Sequence, residues 1–69
     1  MTARTPAQRT REALLDAGVA VAEEHGLAGL SVNRVVARAG VAKGTFYVHF
    51  TGRDAFVDAL HERFHTDVQ

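Results

Sequence analysis

The side chains best suited to bind another molecule are concentrated in residues 43–49. Lys43 carries an ammonium group, Thr45 a hydroxyl, Tyr47 a phenol and His49 an imidazole. Each of these groups can donate a hydrogen bond, and the ammonium is positively charged. Such a set suits a polar, negatively charged partner better than an apolar one.

The phenylalanines of the same stretch indicate which side of it faces the protein. Phe46 and Phe50 are four residues apart, so a helix places both on one side. The pattern predicts a helix over about residues 43–50 that buries these two rings and exposes Tyr47 and Val48. Our hypothesis is that the exposed side lies in the major groove of DNA, which is wide enough to admit a helix.

The charge distribution supports a polyanionic partner. The formal net charge of the 69 residues is zero, but no acidic residue lies between Glu24 and Asp54. The basic residues of this acid-free segment are Arg34, Arg38, Lys43 and Arg53. A basic segment in a neutral protein is typical of a surface that binds nucleic acid, although chance clustering in a short chain stays an alternative. Arg34 and Arg38 are expected to form ion pairs rather than to read bases.

One motif near the end of the sequence suggests zinc chemistry. The residues His61-Glu62-Arg63-Phe64-His65 match the H-E-x-x-H pattern, which places two histidines on one helical face with a glutamate beside them. No third ligand follows, and a chain this short offers little room for a substrate cleft. We therefore expect no catalytic metal and no enzymatic activity.

Length and composition limit the remaining possibilities. Sixty-nine residues form one domain at most, and the absence of cysteine excludes disulfides and thiolate metal sites. The apolar runs are too short to cross a membrane, and the start of the chain does not resemble a secretory signal. The expected location is the cytoplasm, and no cofactor is indicated.

Helix signals divide the chain into four helices. Thr5, Pro6 and Gln8 form a capping box that begins helix 1 over about residues 6–25, and Gly26 is predicted to end it in a left-handed conformation, with Leu27 folding back on the last turn. Residues 1–5 are expected to form a mobile N-terminal arm.

Helix 2 is predicted over about residues 32–39, with Ser31 as its cap and Gly40 as its end. Helix 3 covers about residues 43–50, and helix 4 runs from residue 53 towards residue 69, with Phe56, Leu60 and Phe64 on one face. The expected fold is all-α: a three-helix helix-turn-helix core over residues 6–52, similar to a homeodomain, followed by a fourth helix that connects to a further domain.

Several parts of the sequence together resemble the N-terminal domain of TetR-type transcriptional regulators. The resemblance covers roughly residues 8–65 and is more specific than a generic helix-turn-helix, because its parts occur together and in order. Those parts are Gly26-Leu27, Leu30-Ser31-Val32, Val35-Val36-Ala37, residues 39–50 (AGVAKGTFYVHF) and Arg53-Asp54-Ala55-Phe56.

The resemblance assigns roles to individual positions. It implies a phosphate or base contact for Ser31 and Asn33, and a phosphate contact for Tyr47 and His49. Val48 would touch a thymine methyl group, and Arg53 would contact the DNA backbone. The residues implied to read bases are Ala42, Lys43, Gly44 and Thr45.

The resemblance also implies partners for the protein, and the sequence departs from the family pattern at two positions. It implies a small-molecule-responsive repressor that binds a palindromic operator as a homodimer, with the dimer interface and the effector site in a domain missing from this chain. Ala42 stands where the family usually has a serine cap, and Gly52 where it commonly has serine or asparagine.

Less specific interpretations stay open for the same residues. Tyr47 could be a core aromatic, Lys43 a solvated surface charge, and His49 a buried, hydrogen-bonded histidine. The whole exposed face could instead belong to a helical protein-interaction module. Steep weakening of duplex binding by salt is expected for DNA and distinguishes it from a protein partner.

Overall fold

The computed structural model describes residues 5–68, and their side chains as far as residue 63. Four α-helices make up this part of the chain: α1 (Pro6–His25), α2 (Val32–Ala39), α3 (Lys43–His49) and α4 (Arg53–Val68). A single turn of 3-10 helix, Leu27–Gly29, lies between α1 and α2. The described residues contain no strand, so the predicted all-α fold is confirmed.

The start of α1 is fixed by the predicted capping box. The amide of Gln8 donates to Oγ1 of Thr5 at 3.1 Å, and the amide of Thr5 donates to Oε1 of Gln8 at 2.9 Å. Pro6 follows at the first helical position, where its missing N–H leaves no bond unmade. Thr5 is thus part of the helix start and not of the expected mobile arm, and residues 1–4 lie outside the described residues.

The end of α1 differs from the prediction. Gly26 has the expected positive φ of 75°, but its ψ of 169° is extended and not left-handed helical. This conformation turns the chain directly into the 3-10 turn, where the amide of Leu30 donates to the carbonyl of Leu27 at 3.1 Å. Leu27 is 53% exposed, while Leu30 is the buried apolar residue at 2%.

The connection between α2 and α3 has the geometry that the sequence predicts. Oγ of Ser31 accepts a hydrogen bond from the amide of Arg34 at 3.2 Å and caps α2. Gly40 is left-handed, with φ of 73° and ψ of 31°, and its amide donates to the carbonyl of Val36 at 2.9 Å. A residue with a Cβ adopts this conformation only with strain, so the glycine sets the angle at which α3 leaves α2.

Helix α3 is short and has no side-chain cap. Ala42 occupies the cap position without a side-chain hydrogen bond. The helix ends at His49, one residue earlier than predicted, because Phe50 is extended, with φ of −138° and ψ of 139°. The amide of Phe50 still donates to the carbonyl of Phe46 at 3.0 Å, so the ring of Phe50 stays on the inward side.

Three phenylalanines form the centre of the core and hold α3 against α4. Phe46, Phe50 and Phe56 are between 0% and 5% exposed. The ring centroids of Phe46 and Phe56 are 5.3 Å apart, and those of Phe50 and Phe56 are 4.9 Å apart. These are favourable distances for aromatic contacts. Around them pack the other residues that are at most 3% exposed, which are Leu14, Val21, Leu30, Val35 and Leu60.

Helix α4 lies close to α1 because α1 carries a glycine at the contact. A Cβ built on Gly18 would lie 2.5 Å from Cε2 and Cζ of Phe56. Further along α4, Nη2 of Arg63 is 2.6 Å from Oδ1 of Asp16 on α1. Phe64, which the sequence places on the same face as Phe56, lies outside the described side chains.

Candidate nucleic-acid interface

The outward side of α3 has the composition that the phenylalanine spacing predicts. Phe46 is fully buried, whereas Lys43, Gly44, Tyr47 and Val48 are all exposed. Tyr47 is 50% and Val48 77% exposed, and both are among the large apolar side chains that the structure leaves most accessible. The helix thus presents a cation, an aromatic ring and a branched methyl pair side by side.

Tyr47 combines this exposure with a fixed orientation. Its ring meets the ring of Phe46 edge to face, with centroids 5.3 Å apart and an interplanar angle of 81°. The contact anchors the ring to the buried aromatic cluster while half of the side chain stays accessible. This arrangement does not favour the interpretation of Tyr47 as a core residue.

His49 occupies an intermediate environment at the end of α3. It is half-buried, and its ring centroid is 6.4 Å from that of Phe50. The imidazole is therefore not enclosed in the core, and part of its surface can meet a partner.

The first turn of α3 carries little side-chain bulk. Ala42 and Gly44 are exposed and Thr45 is half-buried, and the amide of Thr45 donates to the carbonyl of Ala42 at 3.0 Å. A Cβ added at Gly44 would meet no atom within 4 Å, so nothing in the fold itself requires glycine there. A small first turn allows a partner to approach the backbone closely.

The first turn of α2 contributes two of the implied contact residues. Asn33 is exposed, and Ser31 is half-buried. The hydroxyl oxygen of Ser31 already accepts from the Arg34 amide as the helix cap. Its hydroxyl hydrogen can still be donated, so Ser31 can cap the helix and bind a phosphate at the same time.

The arginines of α2 are engaged with the last turn of α1. Arg34 donates from Nη1 to Nδ1 of His25 at 2.9 Å, and Arg38 Nη1 lies 2.6 Å from Oε2 of Glu24. The hydrogen bond from Arg38, together with its charge, lowers the pKa of Glu24, and the same contact raises the pKa of Arg38. Arg38 thus forms an ion pair as expected, whereas the partner of Arg34 is a histidine ring nitrogen and not a carboxylate.

Arg53 also has partners within the fold that the sequence did not indicate. Its Nε donates to the carbonyl of Leu30 and its Nη2 to the carbonyl of Leu27, both at 2.7 Å. These bonds use two of the five guanidinium N–H donors, so a phosphate contact by Arg53 is compatible with them. Lys43, the remaining basic residue of the acid-free segment, is exposed at the start of α3.

Sequence reasoning did not single out Arg11, which the structure places beside α3. Its guanidinium carbon lies 5.3 Å from the centroid of the Phe50 ring. The two residues are far apart in sequence, and only the packing of α1 against α3 brings them together. No local pattern could have indicated the pair.

The other predicted chemistry concerns the histidines of α4. His61 and Glu62 are exposed, and His65 lies outside the described side chains.

Among the described residues, no helix is long and apolar enough to cross a membrane.

Comparison with known proteins agrees with this geometry. The family described as bacterial regulatory proteins, tetR family, matches residues 14–60. The chain is 39% identical to the HTH-type transcriptional repressor DhaR of Mycobacterium sp. (strain GP1) over 67 residues. These residues are 97% of this chain and 32% of DhaR.

Two relatives come from Bacillus subtilis (strain 168). The uncharacterized HTH-type transcriptional regulator YvdT is 39% identical over 51 residues, which are 74% of this chain and 26% of YvdT. The uncharacterized HTH-type transcriptional regulator YwcC is 38% identical over 56 residues, which are 81% of this chain and 25% of YwcC. This chain thus spans between a quarter and a third of the relatives it matches, and no solved structure matches it significantly.

The matched residues 14–60 include α2, α3 and the glycine turn between them. The chain therefore belongs to the TetR family of bacterial regulatory proteins and contains the DNA-binding helix-turn-helix domain of that family.

Proposed function

We propose that this domain binds double-stranded DNA sequence-specifically by inserting α3 into the major groove. The observation that carries the proposal is the division of α3 into two sides. Phe46 is fully buried, while Lys43, Tyr47 and Val48 are exposed within a segment that contains no acidic residue. A segment without acidic side chains avoids repulsion by the phosphates on both sides of the groove.

Within this proposal the exposed residues divide into two classes. Tyr47 and His49, at the end of α3, together with Ser31 and Asn33 at the start of α2, bind phosphates and fix the orientation of the domain. Arg53 adds a phosphate contact through guanidinium N–H groups other than the two that donate to the backbone carbonyls of Leu30 and Leu27.

The remaining residues read the base pairs. Lys43 and Thr45 donate to acceptors on base edges, and Val48 contacts a thymine methyl group. Ala42 and Gly44 keep the first turn small, so the helix backbone can come close to the bases. With few side chains available there, sequence-dependent DNA shape carries part of the specificity.

We further propose that the protein acts in the cytoplasm as a homodimeric, small-molecule-responsive repressor. The name of the relative DhaR supports repression. Two copies of α3 about 34–36 Å apart fit successive major grooves, which calls for a palindromic operator. Dimerisation and effector binding would lie in a part of the protein outside this chain, and the effector would favour a conformation with a different spacing.

The test is the salt dependence of duplex binding by this chain, followed by selection from a random pool. Fluorescence anisotropy with a labelled random-sequence duplex should give an affinity that falls steeply with salt, because each neutralised phosphate releases condensed counterions. Repeated selection should then enrich one half-site sequence. An affinity that does not change with salt would favour the protein-interaction module instead.

A further inference from the structure

Arg11 on α1 lies against the aromatic cluster that supports α3. Its guanidinium carbon is 5.3 Å from the centroid of the Phe50 ring, and Arg11 itself is exposed. Phe50 directly follows the last residue of α3 and is only 5% exposed. The arginine thus covers the end of the helix that we propose to lie in the groove.

The environment of this arginine differs from that of the arginines on α2 and α4. Arg34, Arg38 and Arg53 point N–H groups at acceptors within the protein. The contact of Arg11 with Phe50 is of another kind, because an aromatic ring attracts a guanidinium through the π-system and takes up none of its N–H donors. The donors lie at the edge of the guanidinium plane, where they match the oxygens of a phosphate.

Two of the residues with implied phosphate contacts, His49 and Tyr47, are linked to Phe50 through ring contacts, Tyr47 by way of Phe46. The ring of His49 is 6.4 Å from that of Phe50, and Phe46 contacts both Phe50 and Tyr47 at 5.3 Å between centroids. Arg11, His49 and Tyr47 are therefore anchored to the same group of phenylalanines. A cation at this place continues the proposed phosphate-binding surface from α3 onto α1.

We propose that Arg11 is a phosphate-binding residue of the DNA interface, held in position by the ring of Phe50. The inference rests on the proposed DNA-binding function and extends it to a helix outside the helix-turn-helix. Contact with a rigid ring restricts the long arginine side chain before DNA arrives, so less conformational entropy is lost on binding. Because a phosphate carries no sequence information, Arg11 strengthens binding to all duplexes alike.

The experiment compares Arg11→Gln with the parent chain on a labelled random-sequence duplex over a range of salt concentrations. Loss of one phosphate contact should lower the slope of log affinity against log salt by about 0.9. The matched control is Arg63→Gln, which removes one positive charge beside Asp16, about 140° around the axis of α1 from Arg11. The control should keep the parent slope, and circular dichroism verifies that both variants are folded.

The outcomes separate this inference from the proposed function. If the parent chain shows no salt-dependent duplex binding, the proposed function fails. If the parent binds with a salt-dependent affinity but folded Arg11→Gln keeps its slope, Arg11 only covers the Phe50 ring and the inference alone is wrong.

A second measurement does not depend on the stability of Arg11→Gln. The Nε–H resonance of Arg11 in the parent chain is identified by its disappearance in Arg11→Lys, and it should shift when the random-sequence duplex is added. Folded Arg11→Lys keeps the charge and should keep the parent salt slope. A resonance that does not move on addition of saturating duplex would overturn the inference.

Discussion

Arg53, the first residue of α4, donates a hydrogen bond from Nε to the carbonyl oxygen of Leu30 at 2.7 Å. Leu30 directly precedes Ser31, the cap of α2, and the second bond from Arg53 reaches Leu27 at 2.7 Å. One side chain therefore joins the start of α4 to the connection before α2. This fixes the first helix of the helix-turn-helix relative to the last helix of the domain.

The two hydrogen bonds from Arg53 to backbone carbonyls give the first prediction, which concerns stability. Arg53→Lys keeps the positive charge but replaces two directed N–H donors on separate nitrogens by one ammonium, which cannot reach both carbonyls. We expect the free energy of unfolding to fall by about 1–2 kcal/mol, since hydrogen bonds from a charged donor are lost at a partly exposed site. Urea denaturation followed by circular dichroism measures the change. Unchanged stability would mean that the two carbonyl bonds contribute nothing to the fold.

Features of the fold that depend on neighbouring residues in the chain could be predicted from the sequence. The capping box of Thr5 and Gln8, the cap at Ser31 and the left-handed Gly40 were predictable, because each depends on residues within one helical turn. The sides of α3 were predictable for the same reason, since the spacing of Phe46 and Phe50 decides them. Only the last residue of that helix was misplaced.

The features that were missed depend on how helices cross. Arg53 finds its acceptors 23 and 26 residues earlier in the chain, and Arg11 meets Phe50 only because α1 packs on α3. The ψ of Gly26 was missed for a related reason. A positive φ is common to several glycine conformations, and the choice among them depends on the 3-10 turn that follows.

The second prediction concerns the proposed phosphate contact of Tyr47. Tyr47→Phe keeps the ring and its contact with Phe46 but removes the hydroxyl, so the fold should be unchanged. Loss of one hydrogen bond to a charged phosphate should weaken duplex binding by about ten- to a hundredfold. Fluorescence anisotropy at low salt measures the affinity.

A matched control for Tyr47 is Leu27→Ala, which truncates an exposed apolar residue outside α2 and α3. This control should bind as the parent does. If Tyr47→Phe, Tyr47→Ala and Lys43→Ala all bind like the parent while circular dichroism shows them folded, α3 does not lie in the groove.

Phe50 provides a third prediction, for the buried side of α3. The ring is 5% exposed and lies 4.9 Å from Phe56 between centroids. Phe50→Ala should lower the free energy of unfolding by about 3–5 kcal/mol, because the transfer energy of the ring is lost and a cavity is left. In a domain of this size such a loss leaves much of the protein unfolded.

The Phe50 variant is measured by thermal and urea denaturation, with Phe50→Leu as the milder comparison. Phe50→Leu should lose less stability, since it keeps most of the apolar volume. A Phe50→Ala protein as stable as the parent would show that the two sides of α3 have been assigned in reverse.

Two glycines allow a fourth prediction, in which the same substitution has opposite effects on stability. Gly18→Ala places a Cβ 2.5 Å from Phe56, which is buried and cannot move into solvent. The overpacking should cost about 1–3 kcal/mol and outweigh the better helix propensity of alanine. Gly44→Ala meets no atom within 4 Å and should stabilise the domain by up to about 1 kcal/mol. Equal effects of the two variants on the urea midpoint would contradict the close packing of α1 on α4.

Gly44→Ala also separates stability from DNA binding, which gives the last prediction. The fold tolerates a methyl group at this position, but the proposed complex brings the first turn of α3 close to the bases. We expect Gly44→Ala to be at least as stable as the parent and yet to bind the selected half-site more weakly. Thermal denaturation and anisotropy on the same preparation measure both quantities. Binding to random-sequence duplex should change less, because phosphate contacts do not depend on close approach to the bases. If the methyl group leaves affinity for the selected half-site unchanged, the backbone at Gly44 does not approach the bases, and specificity must come from the later residues of α3.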